Sequence, residues 1–392
     1  MTTGELLPRA LGPLLFLVTA WLVPSLTGPT LPFGVRVPPA HAADPVIAAQ
    51  RRAYRRWVGA AGGGSLGLGL VLALVAGDAS AGSDASAPVD APTGLLDALA
   101  SPVTVLGPVA ACVAGFVRAR SAIRSVKLRE DWYGGLRQAV AVDTSLRTRP
   151  ERFPWRWSTP ALVVIAATAV AGVIRYPAMP DRLPLHVGAS GAVDRLAAKT
   201  VFSAFLPVFA QIGLTVVVIG TTRLVFRARA DLDPARLAAS VLQHRVFLSR
   251  TAISMQLLAA AVDLTVLVAA WQTWGGATTV NTAVTAAPAL AGTVGVIAVA
   301  VRTGQGGSRL RVLVQAQPTA ERTAVHWDDD DRWRVGGLCY VNREDPAVLV
   351  PKRFGFGWSL NFGNPRSLFL LLPPALLGVL VISLNLLGDL SC

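Results

Sequence analysis

The chain has 392 residues, 53% of them hydrophobic and only 15% charged, against the roughly 25% charged residues of an ordinary soluble domain. Its apolar residues fall into runs of about 20, the length that crosses a ~30 Å hydrocarbon core, which excludes a soluble globular enzyme and predicts an all-α polytopic membrane protein. The formal charge of +13 does not mark a nucleic-acid binder: the basic residues gather in alternate loops, as the positive-inside bias requires, and no helix-turn-helix or RNA-binding signature accompanies them.

In chain order, about eight transmembrane helices are predicted, at 10–27, 58–77, 99–118, 158–176, 200–222, 251–271, 284–302 and 368–388. Ala40-His41-Ala42 has the form of a signal cleavage site, but a proline-rich gap separates it from the apolar Leu11–Val23, so a first span is expected instead. Residues 33–57 read as an extended segment closed by Pro38-Pro39, then a helix with Asp44 as N-cap and Pro45 in its first turn. The glycines at 62–64, 67 and 69 of the second span suit close helix packing. Residues 118–148 mix Ile123, Val126, Leu136, Val140 and Leu146 with arginines, which fits either a helix on anionic headgroups or an ordinary cytoplasmic one. Trp155, Trp157, Trp271 and Trp274 flank spans at interfacial positions.

Loop charges orient the bundle. The basic clusters at 51–56, 118–156, 223–250 and 302–366 are placed in the cytoplasm, and both termini and the 176–200 loop outside, in a multi-pass cell-membrane protein in contact with the lipid bilayer. The chain divides into a three-span region with its cytoplasmic segment (1–157), a two-helix unit around the outer loop (158–222), two further spans (223–302), a small α/β cytoplasmic module (303–367) and a last helix (368–392). In the module, Leu310–Gln315 reads as a strand, and Gly337–Val341 and Ala347–Val350 as a hairpin around Asn342–Pro346. Asp328–Asp331 reads as a solvated acidic run beside arginines, without EF-hand spacing. Gly355 and Gly357 read as a sharp turn rather than a dinucleotide loop.

Asp263 lies deep in the sixth span, where a carboxylate costs on the order of 2.5–3.5 kcal/mol to insert. It is expected to face other helices, with Gln211, Gln256 and Asn281 as possible partners. A proton or ion pathway and an interhelical hydrogen bond both fit.

The stretch Tyr176–Thr200, YPAMPDRLPLHVGASGAVDRLAAKT, carries the most specific pattern. Pro177, Pro180 and Pro184 exclude helix over Tyr176–Leu185, while Asp194–Lys199 reads as the start of the next helix. One histidine and two carboxylates (Asp181, His186, Asp194) point to turn capping and recognition rather than to a metal or acid–base centre. With no Ser/His/Asp order, H-E-x-x-H or P-loop, no catalytic residue, metal or cofactor is assigned, and no enzyme is expected. The segment resembles the pattern Y-P-x-L-P-D-x-I-P-x-H-W, then G-x-x-D and a Lys-Ser/Thr pair, of bacterial membrane proteins related to the SdpI immunity protein. Tyr176, Pro177, Pro180, Asp181, Pro184, His186, Gly191, Asp194 and Lys199 match; Val187 replaces the aromatic.

A second run resembles a small uncharacterised domain that accompanies this motif. It carries Trp333, Gly336, Tyr340, Asn342, Asp345, Pro346, Val350, Pro351, Lys352, Arg353, Gly355, Gly357, Trp358 and Asn361. The resemblance implies an SdpI-like protein of immunity or signalling type. Tyr176, Pro180, Asp181, Pro184, His186, Asp194 and Lys199 would meet a peptide toxin outside, and the module would engage a cytoplasmic regulator. A small-solute or proton-coupled transporter using Asp263 is the alternative, and an envelope enzyme using Asp181 and His186 a third option.

Overall fold

The structure is a computed structural model that describes residues 3–81, 91–187, 193–312 and 324–370. Helix α1 covers Thr3–Leu26. Two 3₁₀ turns, Pro32–Gly34 and Pro39–His41, lead into α2 (Pro45–Trp57), whose N-cap is the expected one: Asp44 Oδ1 accepts from Val46 N at 2.9 Å. A π turn at Val58–Gly62 carries α2 on into α3 (Gly63–Ala81), so the second span is the upper part of a longer rod. Helix α4 (Ala91–Arg129) returns beside it. A methyl group added at Gly69 would lie 2.2 Å from Thr104 Oγ1, and one at Gly107 2.7 Å from Ser65 Cβ, so the glycines do permit close approach here.

The helix expected over 118–148 ends at Arg129, because Asp131 (φ 44°) and Gly135 (φ 68°) turn the backbone out of helical space. Beyond that turn lie a two-residue strand, β1 (Gln138–Ala139), and the single turn α5 (Ser145–Thr148). Next come α6 (Thr159–Arg175), the hairpin strands β2 (Arg182–Val187) and β3 (Val193–Ala198), then α7 (Val201–Val225), α8 (Leu237–Trp274) and α9 (Thr282–Thr303). Six described helical stretches are long and apolar enough to cross a membrane, and Ala10–Leu26 is a shorter apolar helix. Of the last predicted span, 368–388, residues 371–388 lie outside the described residues, and Leu368–Leu370 belong to a 3₁₀ turn over Pro365–Leu370. The protein is thus a mostly helical, multi-pass membrane protein. Helix α8 packs against α6, α7 and α9, and α1 joins the two halves by packing on α9.

The module is built from paired short strands: β4 (Val325–His326), β5 (Trp333–Arg334), β6 (Cys339–Tyr340), β7 (Leu349–Pro351) and β8 (Trp358–Leu360). The hairpin predicted around Asn342–Pro346 does not form. Instead β5 pairs with β6 across the tight turn at Gly336 (φ 64°) and Gly337 (φ 90°), and β7 pairs with β8. The 342–346 stretch is occupied as a loop by Asn361, whose Nδ2 lies 2.8 Å from Asn342 O and 3.1 Å from the carbonyls of Asp345 and Ala347. Of the predicted strand Leu310–Gln315, Leu310–Val312 are not in a strand and the rest lies outside the described residues. Strand β4 runs parallel to β1, which ties the module to the loop after α4.

The module also closes on the main buried core. Phe33 and Phe354, each followed by a glycine of positive φ (Gly34, 70°; Gly355, 78°), both pack on Phe116 of α4, with ring centroids 6.1 and 4.0 Å away. The two Phe-Gly segments, far apart in the chain, therefore share one partner.

Candidate functional site

Three constellations hold the residues singled out in the sequence. The first is the hairpin at one end of the bundle. Asp194–Lys199 is not the start of a helix: through Ala198 it is strand, paired in the register Arg182↔Ala198 and Leu183↔Ala197. The helix begins at Thr200, where Thr200 and Ser203 form a reciprocal capping box. Lys199 is the latch. Its Nζ donates to Met179 O at 2.8 Å and Tyr176 O at 3.4 Å, beside the Tyr176 ring, while its backbone N donates to Asp181 O at 2.7 Å. An ammonium is well suited to carbonyls freed at a helix C-terminus. Below it, Met179 and Leu183 are buried with Ala204, Ala270 and Trp274, and Trp274 Nε1 donates to Ala204 O at 3.1 Å. Val193 N donates to Thr278 O at 3.1 Å, holding the second strand to the α8–α9 turn. Asp181 is exposed, and Pro180 and Pro184 are half-buried. His186 pairs through its backbone with Arg195; the side chains of His186 and Asp194 lie outside the described ones.

The second lies in the middle of the α6–α8 bundle. Asp263 is fully buried and faces other helices, as expected. Its Oδ2 accepts from Thr215 Oγ1 at 2.8 Å, and Gln211 Nε2 bridges Asp263 O at 2.8 Å and Thr168 Oγ1 at 2.9 Å. Asp263 Oδ1 and Gln211 Oε1 have no partner among the described residues. Of the other partners considered, Gln256 accepts from Ser158 Oγ at 2.5 Å and Asn281 caps α9 through Val284 N at 3.1 Å, so neither reaches Asp263.

The third constellation, at the opposite end, is largely hidden from sequence reasoning. The acidic run is not solvated: Asp330 is buried, Asp328 and Asp329 are mostly covered, and only Asp331 is open to solvent. Three cations from separate segments compensate the burial. Arg353 pairs with Asp329 and Asp330. Lys127 Nζ reaches Asp328 and Asp330, both at 2.7 Å. Arg36 donates its backbone N to Asp330 at 3.0 Å and its guanidinium to Asp231 at 3.0 Å. Burial alone would raise the Asp330 and Asp231 carboxyls; Arg353 with Lys127, and Arg36 respectively, hold both below the usual carboxylate range. His326 Nδ1 lies 3.7 Å from Asp231, and its imidazole is pushed down by burial and by Arg36 against the pull of Asp231. Two signals in the sequence point to this cluster: Arg36 is a lone cation within the extended segment after α1, and Asp231 and Asp233 are the only acids in the basic 223–250 loop.

The remaining module residues act mainly on one another. Asp345 accepts from Tyr340 Oη at 3.0 Å and from Arg229 at 2.5 Å, and Tyr340 packs on Trp333, over which Arg353 lies. Asn342 N donates to Asn361 Oδ1 at 3.0 Å. Pro346 O accepts from Asn364 Nδ2 at 3.0 Å, Lys352 N donates to Gly357 O at 3.0 Å, and Trp358 packs on Phe247 of α8.

Compared with known families, residues 163–210 match a domain of unknown function (DUF1648) and residues 343–368 match a family of unknown function (DUF5808). No curated protein and no solved structure matches the chain. The first match spans the latched hairpin with most of α6 and the first part of α7; the second spans the Asn361 loops. Over these two stretches the chain is similar to families without an assigned activity, set within a multi-pass membrane protein.

Proposed function

We propose that the protein is of SdpI-like immunity or signalling type: the hairpin meets an external antimicrobial peptide, and the charged end engages a cytoplasmic regulator. The observation that carries this reading is the latch. Lys199, the 176–180 turns and Trp274 fix a polar hairpin to the ends of three helices, which costs little entropy when a partner docks on it. The resemblance of that same segment to the immunity family supplies the class of partner. The reading assigns no catalytic step to the chain. It is tested by peptide challenge of a deletion strain carrying plasmid copies. Wild type is expected to restore survival and Lys199→Ala to lose most of it at equal membrane abundance. Survival that persists when 182–198 is replaced by a Gly-Ser linker of equal length would end this reading.

A second reading, proton-coupled or small-solute transport, is favoured by one observation: a fully buried carboxylate with an unpartnered oxygen, mid-span. Asp263→Asn is then expected to abolish pH-dependent uptake into proteoliposomes while the variant stays folded. A variant with unchanged peptide resistance and no uptake would place transport first.

A further inference from the structure

We propose that a cleft at the charged end of the bundle is a binding site for the phosphate headgroup of an anionic phospholipid. This goes beyond the function proposed above and does not depend on it. The cleft, about 490 Å³, opens where the end of α7, the turn α5, the 345–349 loop and the turn Pro365–Leu370 meet. Four arginines line it against one aspartate. That aspartate, Asp345, is already committed to Arg229, at 2.5 Å, and to Tyr340. Arg147, Arg227 and Arg366 come from three separate segments, converge on the same space, and have no carboxylate partner among the described residues. The buried cations Arg36, Lys127 and Arg353 at this end each reach carboxylates, whereas Arg147, Arg227 and Arg366 converge on one open space. Guanidinium groups left unmatched around a cleft form a fork suited to phosphate oxygens.

The rest of the lining says why the phosphate belongs to a lipid. Leu224, Leu349 and Leu370 give the cleft an apolar wall. Leu224 is in the last turn of the spanning helix α7, and Leu368 and Phe369, beside the cleft, are 53% and 67% exposed. At the neighbouring position in α7, Arg223 stacks over Trp155, 5.1 Å from the ring centroid, which marks the depth of an interfacial aromatic belt. A phosphate held by the arginines at that depth leaves its acyl chains along the exposed apolar flank, where a free anion would find no use for the wall.

The test is the binding of a fluorescent-tailed phosphatidylglycerol to the purified full chain in neutral detergent, with phosphatidylcholine and inorganic phosphate as competitors. Phosphatidylglycerol is expected to bind in preference to phosphatidylcholine and to resist millimolar inorganic phosphate. Each Arg→Gln change at 147, 227 or 366 is expected to weaken binding about fivefold, and the three together on the order of 100-fold. The Arg→Lys triple should keep most of the affinity, and Gln at Arg124, Arg334 and Arg343, exposed at the same end outside the cleft, should change little. The single changes, read alone, keep the test decisive if the triple does not fold. Equal losses in the cleft and control triples would overturn the site in favour of diffuse electrostatics. Displacement by inorganic phosphate as effective as by unlabelled lipid would overturn the lipid assignment in favour of a free anion.

Discussion

Single residues carry much of the junction between module and bundle, and two of them give sharp expectations. Asp330 is the buried carboxylate shared by Arg353 and Lys127, so Asp330→Asn removes the charge between them and leaves each with only its partly exposed partner, Asp329 and Asp328 respectively. Removing one partner of a buried pair costs roughly 3–5 kcal/mol, which should appear as a large fall in thermal midpoint and as new protease cleavage within 324–362. Gly337 has φ 90°, and a Cβ there would lie 2.6 Å from Arg120 Cζ. Gly337→Ala is expected to cost about 1–3 kcal/mol from backbone strain alone, whereas Gly355, also at positive φ but with open space around it, should show the strain without the clash. At this scale the sequence was legible where one residue serves its neighbours, as with the Asp44 cap. It was silent where the partner is remote: Arg36 and Asp231 are separated by 195 positions, and no local pattern reports their contact.

The elements divide by what determines them. Long apolar helices were readable because bilayer thickness sets their length. The hairpin was not, since Asp194–Lys199 has a helix-prone composition and becomes strand only through pairing with Arg182–Val187 and its tether to the α8–α9 turn. The docking of β4 and the acidic turn against α4 and the α7–α8 loop should depend on pH. His326, Asp231 and Asp330 all have folded values below their ordinary ones. For the two carboxyls, the stabilising contribution is present above the unfolded value and is lost as the pH falls below about 3.9; the imidazole, held neutral, opposes folding once the pH drops below about 6.5. Protection factors of 324–341, corrected for the intrinsic exchange rate at each pH, are expected to fall in those two stages, and His326→Gln to remove the first. Protection factors that stay flat from pH 7 to pH 3 would contradict it.

The whole molecule was legible as a multi-pass bundle with its basic loops collected at one end, because charge alternation and span length are global constraints carried by composition. The closure of 33–44 and the module on one phenylalanine was not. The predicted orientation has a direct check in the native thiols. An impermeant thiol reagent on intact cells should spare Cys339, which the fold leaves half-buried at the charged end, and reach it only after permeabilisation; labelling in intact cells would invert the bundle. One further property belongs to α8. Among the described helices longer than ten residues it alone contains neither proline nor glycine, so it lacks the usual sites of kinking. Trp274 sits under the hairpin and Phe247 against the module's Phe356 and Trp358, about 40 Å apart along one unbroken axis. Such a helix has the form of a connecting rod, one continuous element in contact with both the hairpin and the module.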